Sequence, residues 1–124
     1  MLEKFEAYQI AKRFYWTCKS LKVSRHLQDQ LLRASSSVVL NLAEASGKRT
    51  PQDQRRFYSI AFGSLRECRA ILEIEQIENP DLHKVADQLG AILYVLSRKA
   101  IPTAAATDNQ TDSDFDSASD APRS

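Results

Sequence analysis

Glycine and proline are scarce in this chain, with three and four of them in 124 residues. Turn-rich β architectures draw on both for their tight connections, so the scarcity favours long helices. Cysteine occurs twice, at Cys18 and Cys68, without CxxC spacing. That excludes a disulfide scaffold and fits reduced thiols in a cytoplasmic location. The only histidines are His26 and His83, and no HxxxH or ExxH spacing gathers the three or four ligands of a metal site. Ser35–Ser36–Ser37 lacks a GxSxG elbow. Gly47–Lys48–Arg49–Thr50 lacks the upstream glycine and strand of a phosphate-binding loop. No apolar run approaches the roughly 20 residues that cross a bilayer. The N-terminal MLEKFEAYQ carries acidic residues and no apolar segment, so neither a membrane span nor a secretory leader is expected. These absences predict no catalytic residue, no metal and no cofactor.

What is present suits one domain with its own core: 43% hydrophobic and 27% charged residues. The net charge of +1 hides an asymmetry. Residues 1–101 hold 16 Lys/Arg against 11 Asp/Glu, a net of +5, whereas residues 102–124 hold one Arg against five Asp, a net of −4. The segment after Pro102 has one aromatic and is rich in Asp, Ser, Thr and Ala, too little apolar surface to offset the entropy of ordering. The expected organisation is a helical domain over 1–101 and a disordered acidic tail over 102–124.

Four amphipathic segments fill the domain. The first, about 2–21, places Tyr8, Ala11, Tyr15 and Cys18 in an apolar row flanked by Ile10, Phe14 and Leu21. The second begins after Ser24 and runs to about Ser46 with Leu27, Leu31, Ala34, Val38, Leu42 and Ala45 inward. Ser24 suits its N-cap, and Gly47 suits a C-terminal position of positive φ. Thr50, Pro51 and Asp53 form a clear start signal for the third, which turns Phe57, Ala61, Ser64, Cys68, Ile71 and Leu72 inward to about Glu78. Asn79–Pro80–Asp81 repeats that signal, and the fourth holds Leu82, Val85, Leu89, Ile92 and Leu96 before ending near Ala100. The simplest packing is an all-α, up-down-up-down antiparallel four-helix bundle. Gly63, beside Ala61 and Ser64, reads as a point of close helix approach. Trp16, Tyr58, Phe62, Leu65, Tyr94 and Val95 fall outside the main apolar rows, a surplus that predicts self-association.

Two polar sets are candidates for function. Arg33, Ser37, Asn41 and Glu44 share one helical face, and antiparallel folding brings Ser64 and Glu67 within reach of Arg33. This stripe serves either as a structural network that fixes register or as a small polar pocket. An Arg33–Glu67 pair buried in it would be strongly coupled. The second set is basic: Lys12, Arg13, Lys19, Lys22 and Arg25 along and after the first helix, and Lys48, Arg49, Arg55 and Arg56 around the second turn. Concentrated positive charge of this kind binds nucleic-acid phosphates. The alternative is that these are the solvated faces of amphipathic helices.

One stretch goes further than patterning. Gln30–Leu31–Arg33–Ala34, Ser37–Val38, Asn41–Leu42–Ala43–Glu44 and Ala61–Gly63–Ser64–Leu65–Glu67 stand within a likeness that runs from about Phe5 to Lys99. In these residues the chain resembles the intervening-sequence proteins of 23S ribosomal RNA, small bacterial four-helix-bundle proteins. The family's Asn-Ile-Ala-Glu-Gly run has Ala45 in its last place here, with Gly47 two residues on, which predicts a slightly longer second helix. More distant relatives with the same bundle are accessory factors of diversity-generating retroelements. They form pentameric barrels whose basic surface binds nucleic acid and a reverse transcriptase. The resemblance therefore implies a non-enzymatic homopentamer whose partners are RNA or DNA and a reverse transcriptase. A protein-binding scaffold without nucleic-acid affinity is the alternative.

Overall fold

A computed structural model describes residues 2–98. The end of the domain at 101 and the acidic segment 102–124 lie outside the described residues. Four helices make up the fold: α1 (Leu2–Ser20), α2 (Arg25–Ser46), α3 (Pro51–Ile74) and α4 (Pro80–Arg98). There is no strand among the described residues. The fold is all-α, as expected.

Local chemistry sets most boundaries. The Thr50 hydroxyl accepts from the Asp53 N–H at 3.1 Å, with Pro51 opening α3. Asn79 accepts from the Leu82 N–H at 3.1 Å at the start of α4. Ser24 occupies the N-cap position of α2, but its side chain makes no cap bond. Both its N–H, at 3.0 Å, and its hydroxyl donate to the Glu75 carboxylate instead. The first turn is thereby tied to the end of α3.

Two helix ends depart from expectation. α3 stops at Ile74 rather than near Glu78, because Gln76 takes a left-handed conformation at φ 53°. Gln76 N–H donates to Glu73 and Ile77 N–H to Leu72, the paired bonds of a Schellman ending. Ile77 packs against the core, where Leu72 is fully buried. Gly47, in contrast, has φ −94° and does not use the positive-φ freedom expected of it.

Sequential helices pack on one another and α4 returns against α1, enclosing one core. α2 and α3 run antiparallel, with Ser24 beside Glu75 and Ser37 beside Ser64. On α1 the buried row is Ala7, Ile10, Ala11, Phe14 and Cys18, with Tyr8 and Tyr15 displaced to its half-buried flank. On α3 the core takes Tyr58 and Leu65, while Phe57 and Ser64 are half-buried. Ala61, Cys68, Ile71 and Leu72 are buried as expected, so the inward face of α3 differs from expectation at those two positions, each by one residue. Tyr58 and Leu65 leave the apolar surplus. Leu89, Leu93, Leu31 and Leu72 are fully buried, each contributing roughly 1.5–3 kcal/mol relative to exposure.

Gly63 is not the point of close helix approach expected of it. Gly63 is exposed, and a Cβ placed there would meet nothing within 4 Å. Gly90 is the site of close approach, where a Cβ would lie 3.4 Å from Arg69 Nη1 and 3.6 Å from Leu65 Cδ2. Arg69 reaches past Gly90 to the Ala86 carbonyl at 3.3 Å and to the Asp87 carboxylate.

Candidate nucleic-acid interface

The α2–α3 turn concentrates charge around an aromatic ring. Lys48 Nζ stands 5.0 Å from the Phe57 ring centre and the Arg56 guanidinium 5.2 Å from it, while Arg49 is exposed at the turn itself. Thr50 and Pro51 set the N-terminus of α3 in the same place, adding the positive end of a helix dipole. Glu44 offsets this charge at 3.4 Å from Lys48, and Asp53 adds a negative charge in the first turn of α3. Arg55 is half-buried on the first turns of α3. Gln54 binds the assembly to α1: it donates to the Lys48 carbonyl at 3.0 Å and accepts from Lys4 at 3.3 Å. The arrangement presents cations beside the positive end of the α3 dipole, a field that favours a phosphate oxygen.

The remaining basic residues do not converge on that turn. The Lys4–Gln54 contact puts the N-terminus of α1 at the turn, whereas the Ser24–Glu75 contact puts Lys22 and Arg25 near the far end of α3. Lys12 and Lys19 lie between, along one side of α1 with Tyr8, Tyr15 and Trp16. Arg13 is exposed, one residue on from Lys12 and so about 100° round the helix.

The polar stripe divides into a bonded centre and free ends. The Ser37 and Ser64 hydroxyls lie 2.8 Å apart, and Asn41 Nδ2 donates to the Ser37 carbonyl at 2.9 Å and to its hydroxyl at 3.0 Å. Glu44 turns to Lys48. Arg33 and Glu67 are both exposed, and no ion pair joins them among the described residues, so the buried pair expected of them is corrected. Register is not the cause. With Ser37 opposite Ser64, Arg33 stands level with Cys68, within one residue of Glu67, but both side chains lie on solvent-exposed faces of their helices. The two serines and Asn41 satisfy one another between helices.

Residues 4–94 match the 23S rRNA-intervening sequence protein family. The chain belongs to that family. The matched span takes in both basic groups, the polar stripe and every inter-helix contact described above. Neither the comparison with curated proteins nor that with solved structures gives a match.

In this intervening-sequence protein both cysteine thiols are buried. Burial pushes the Cys18 thiol up to about 12. Burial foremost, then the neighbouring Cys18 and Glu67, pushes the Cys68 thiol up as well. A thiol held protonated is a poor nucleophile. His26 is exposed, and His83 Nε2 sits 2.8 Å from the Ile77 carbonyl. Among the described residues no three His, Cys, Asp or Glu cluster as metal ligands. None of the described helices is long and apolar enough to cross a membrane.

Sequence patterning missed the aromatic partners of the lysines. Tyr8 and Tyr15 were placed in the core row of α1 and Phe57 in that of α3. A signal was present in Phe5, Tyr8, Lys12, Trp16 and Lys19, which recur at threes and fours outside the row that Phe14 and Cys18 define.

Proposed function

We propose that this intervening-sequence protein binds nucleic acid without catalysis, through the basic surfaces of the α2–α3 turn and of α1, as a homo-oligomeric accessory to an RNA or reverse-transcriptase system in the cytoplasm. The observation that carries the reading is the turn. Arg49 and Arg56 are exposed there, Lys48 and Arg56 flank Phe57, and the N-terminus of α3 adds to the same positive field. The family's name links its members to 23S ribosomal RNA, which favours RNA as the first ligand to test. Binding by such a surface releases counterions and weakens steeply as salt rises. Titration of a labelled RNA at several salt concentrations tests it. A salt-independent affinity, or none at low salt, would replace this reading with a protein-binding scaffold.

Self-association belongs to the same proposal and rests on a separate observation. Leu40, Ile74, Tyr94 and Val95 are large apolar side chains exposed on the single chain, on α2, α3 and α4 rather than on the α1 face. Surfaces of this kind are commonly covered by a partner, and a ring of five copies would repeat each basic surface around one assembly. Light scattering should then give about five times the 14.0 kDa chain mass. A monomer at micromolar concentration would overturn that part alone.

A further inference from the structure

One side of α1 carries more than charge. Phe5, Tyr8, Lys12, Trp16 and Lys19 share one helical face, with Tyr15 at its edge. Phe5 is 64% and Trp16 57% exposed. The Lys12 ammonium lies 4.8 Å from the centre of the Tyr8 ring and 6.0 Å from that of Trp16, and the Lys19 ammonium lies 5.7 Å from that of Tyr15. Glu6, the one acidic residue between positions 4 and 20, is one residue from Phe5 and so about 100° round the helix, outside this row. The exposed rings of Phe5 and Trp16, the half-buried ring of Tyr8 and the two lysines occupy about 21 Å of helix, from Phe5 to Lys19.

This composition selects its ligand. An apolar protein partner would gain from the rings but would have to desolvate Lys12 and Lys19. A nucleic-acid duplex would meet the lysines but keeps its bases stacked inside, away from the rings. Unpaired nucleotides satisfy both, offering a base face to each ring and a phosphate to each ammonium. We propose that the Phe5–Lys19 face of α1 is a stacking platform for single-stranded nucleic acid, with Trp16 as the principal ring and Lys12 and Lys19 as phosphate contacts. The proposal rests on the nucleic-acid reading above and specifies the strandedness that reading leaves open.

Trp16 is the only tryptophan in the chain, so its emission reports on this face alone. The experiment uses the full chain with a labelled oligouridylate of about 12 nucleotides, within the range of single-strand site sizes, and the same oligomer annealed to its complement. Anisotropy measures binding and tryptophan emission measures contact. The single strand should quench Trp16. Trp16→Ala should weaken single-strand binding by about fivefold to 150-fold while changing duplex binding less than about twofold, and Trp16→Phe should restore most of the loss. Trp16 is exposed, so these variants keep the fold; Lys12→Glu with Lys19→Glu provides a second route to the same loss. If the single strand binds but Trp16 emission and Trp16→Ala affinity stay unchanged, the platform is refuted while phosphate binding stands. If Trp16 emission instead follows protein concentration without oligomer, and Trp16→Ala dissociates the assembly, the face is a subunit contact and the proposal is overturned. If neither strand form binds at low salt, the nucleic-acid reading fails and the platform fails with it.

Discussion

Replacing Gly63 by Ala should make the protein more stable, and the size of the gain follows from its surroundings. Gly63 lies inside α3, where glycine is about 0.8–1.0 kcal/mol less favourable than alanine. The added methyl meets no atom within 4 Å, so no clash opposes that gain. Gly63→Ala should therefore raise stability by about 1 kcal/mol, a rise in melting temperature of about 4–8 °C for a domain of this size. Gly90→Ala is the control. The same gain in propensity is offset there by crowding against Arg69, whose guanidinium is held by Ala86 and Asp87, so its net effect should be smaller. Urea denaturation followed by circular dichroism, at concentrations spanning any self-association, measures both. A loss of stability in monomeric Gly63→Ala would refute the reasoning. A loss confined to concentrations where copies associate would place Gly63 between subunits.

Gln76→Gly should also stabilise, by about 0.5–1 kcal/mol. The left-handed φ of 53° costs a non-glycine residue about 1–2 kcal/mol, partly offset by the extra freedom of glycine in the unfolded chain; denaturant midpoints check this. The Ser24 hydroxyl foremost, and then its N–H, holds the Glu75 carboxyl below its ordinary value of 4.5. A depressed carboxylate stabilises above its unfolded pKa, and that stability is lost as pH falls through the folded pKa. Glu75→Gln should therefore be less stable than the parent at pH 7, and the difference should vanish at a pH well below 4.5 in paired melts. Removing residues 102–124, net −4, from a domain of net +5 should raise single-strand affinity at low salt, because a tethered anion competes at high effective concentration. Unchanged affinity on truncation would dismiss that competition.

Helix number and starts were legible because their signals are local. Thr50–Pro51 and Asn79–Pro80 each combine a capping side chain with a residue pre-set for the first turn. The end of α3 was not legible, since a left-handed glutamine has no marker in composition and is held there by two backbone bonds. Which flank of a wide apolar stripe turns inward depends on how neighbouring helices crowd it. That is why Tyr58 and Leu65 displaced Phe57 and Ser64 from the core, and Phe14 and Ala7 displaced Tyr8 and Tyr15. The polar stripe was legible as a face, but which of its members reach the seam between helices was not: Ser37 meets Ser64, while Arg33 and Glu67, nearly level with each other, stay in water. The basic residues were readable as a set, but their distribution required two contacts, Lys4–Gln54 and Ser24–Glu75, which long-range packing alone determines.

The central claim is that exposed cations at the α2–α3 turn engage nucleic-acid phosphates. The most direct measurement is the salt dependence of single-strand binding by the parent chain and by Arg49→Ala with Arg56→Ala. Each phosphate neutralised contributes about −0.7 to the slope of log affinity against log salt. The account predicts a steep slope for the parent and one shallower by about 1.4 for the double variant. A parent slope near zero, or identical slopes for the two proteins, would contradict it.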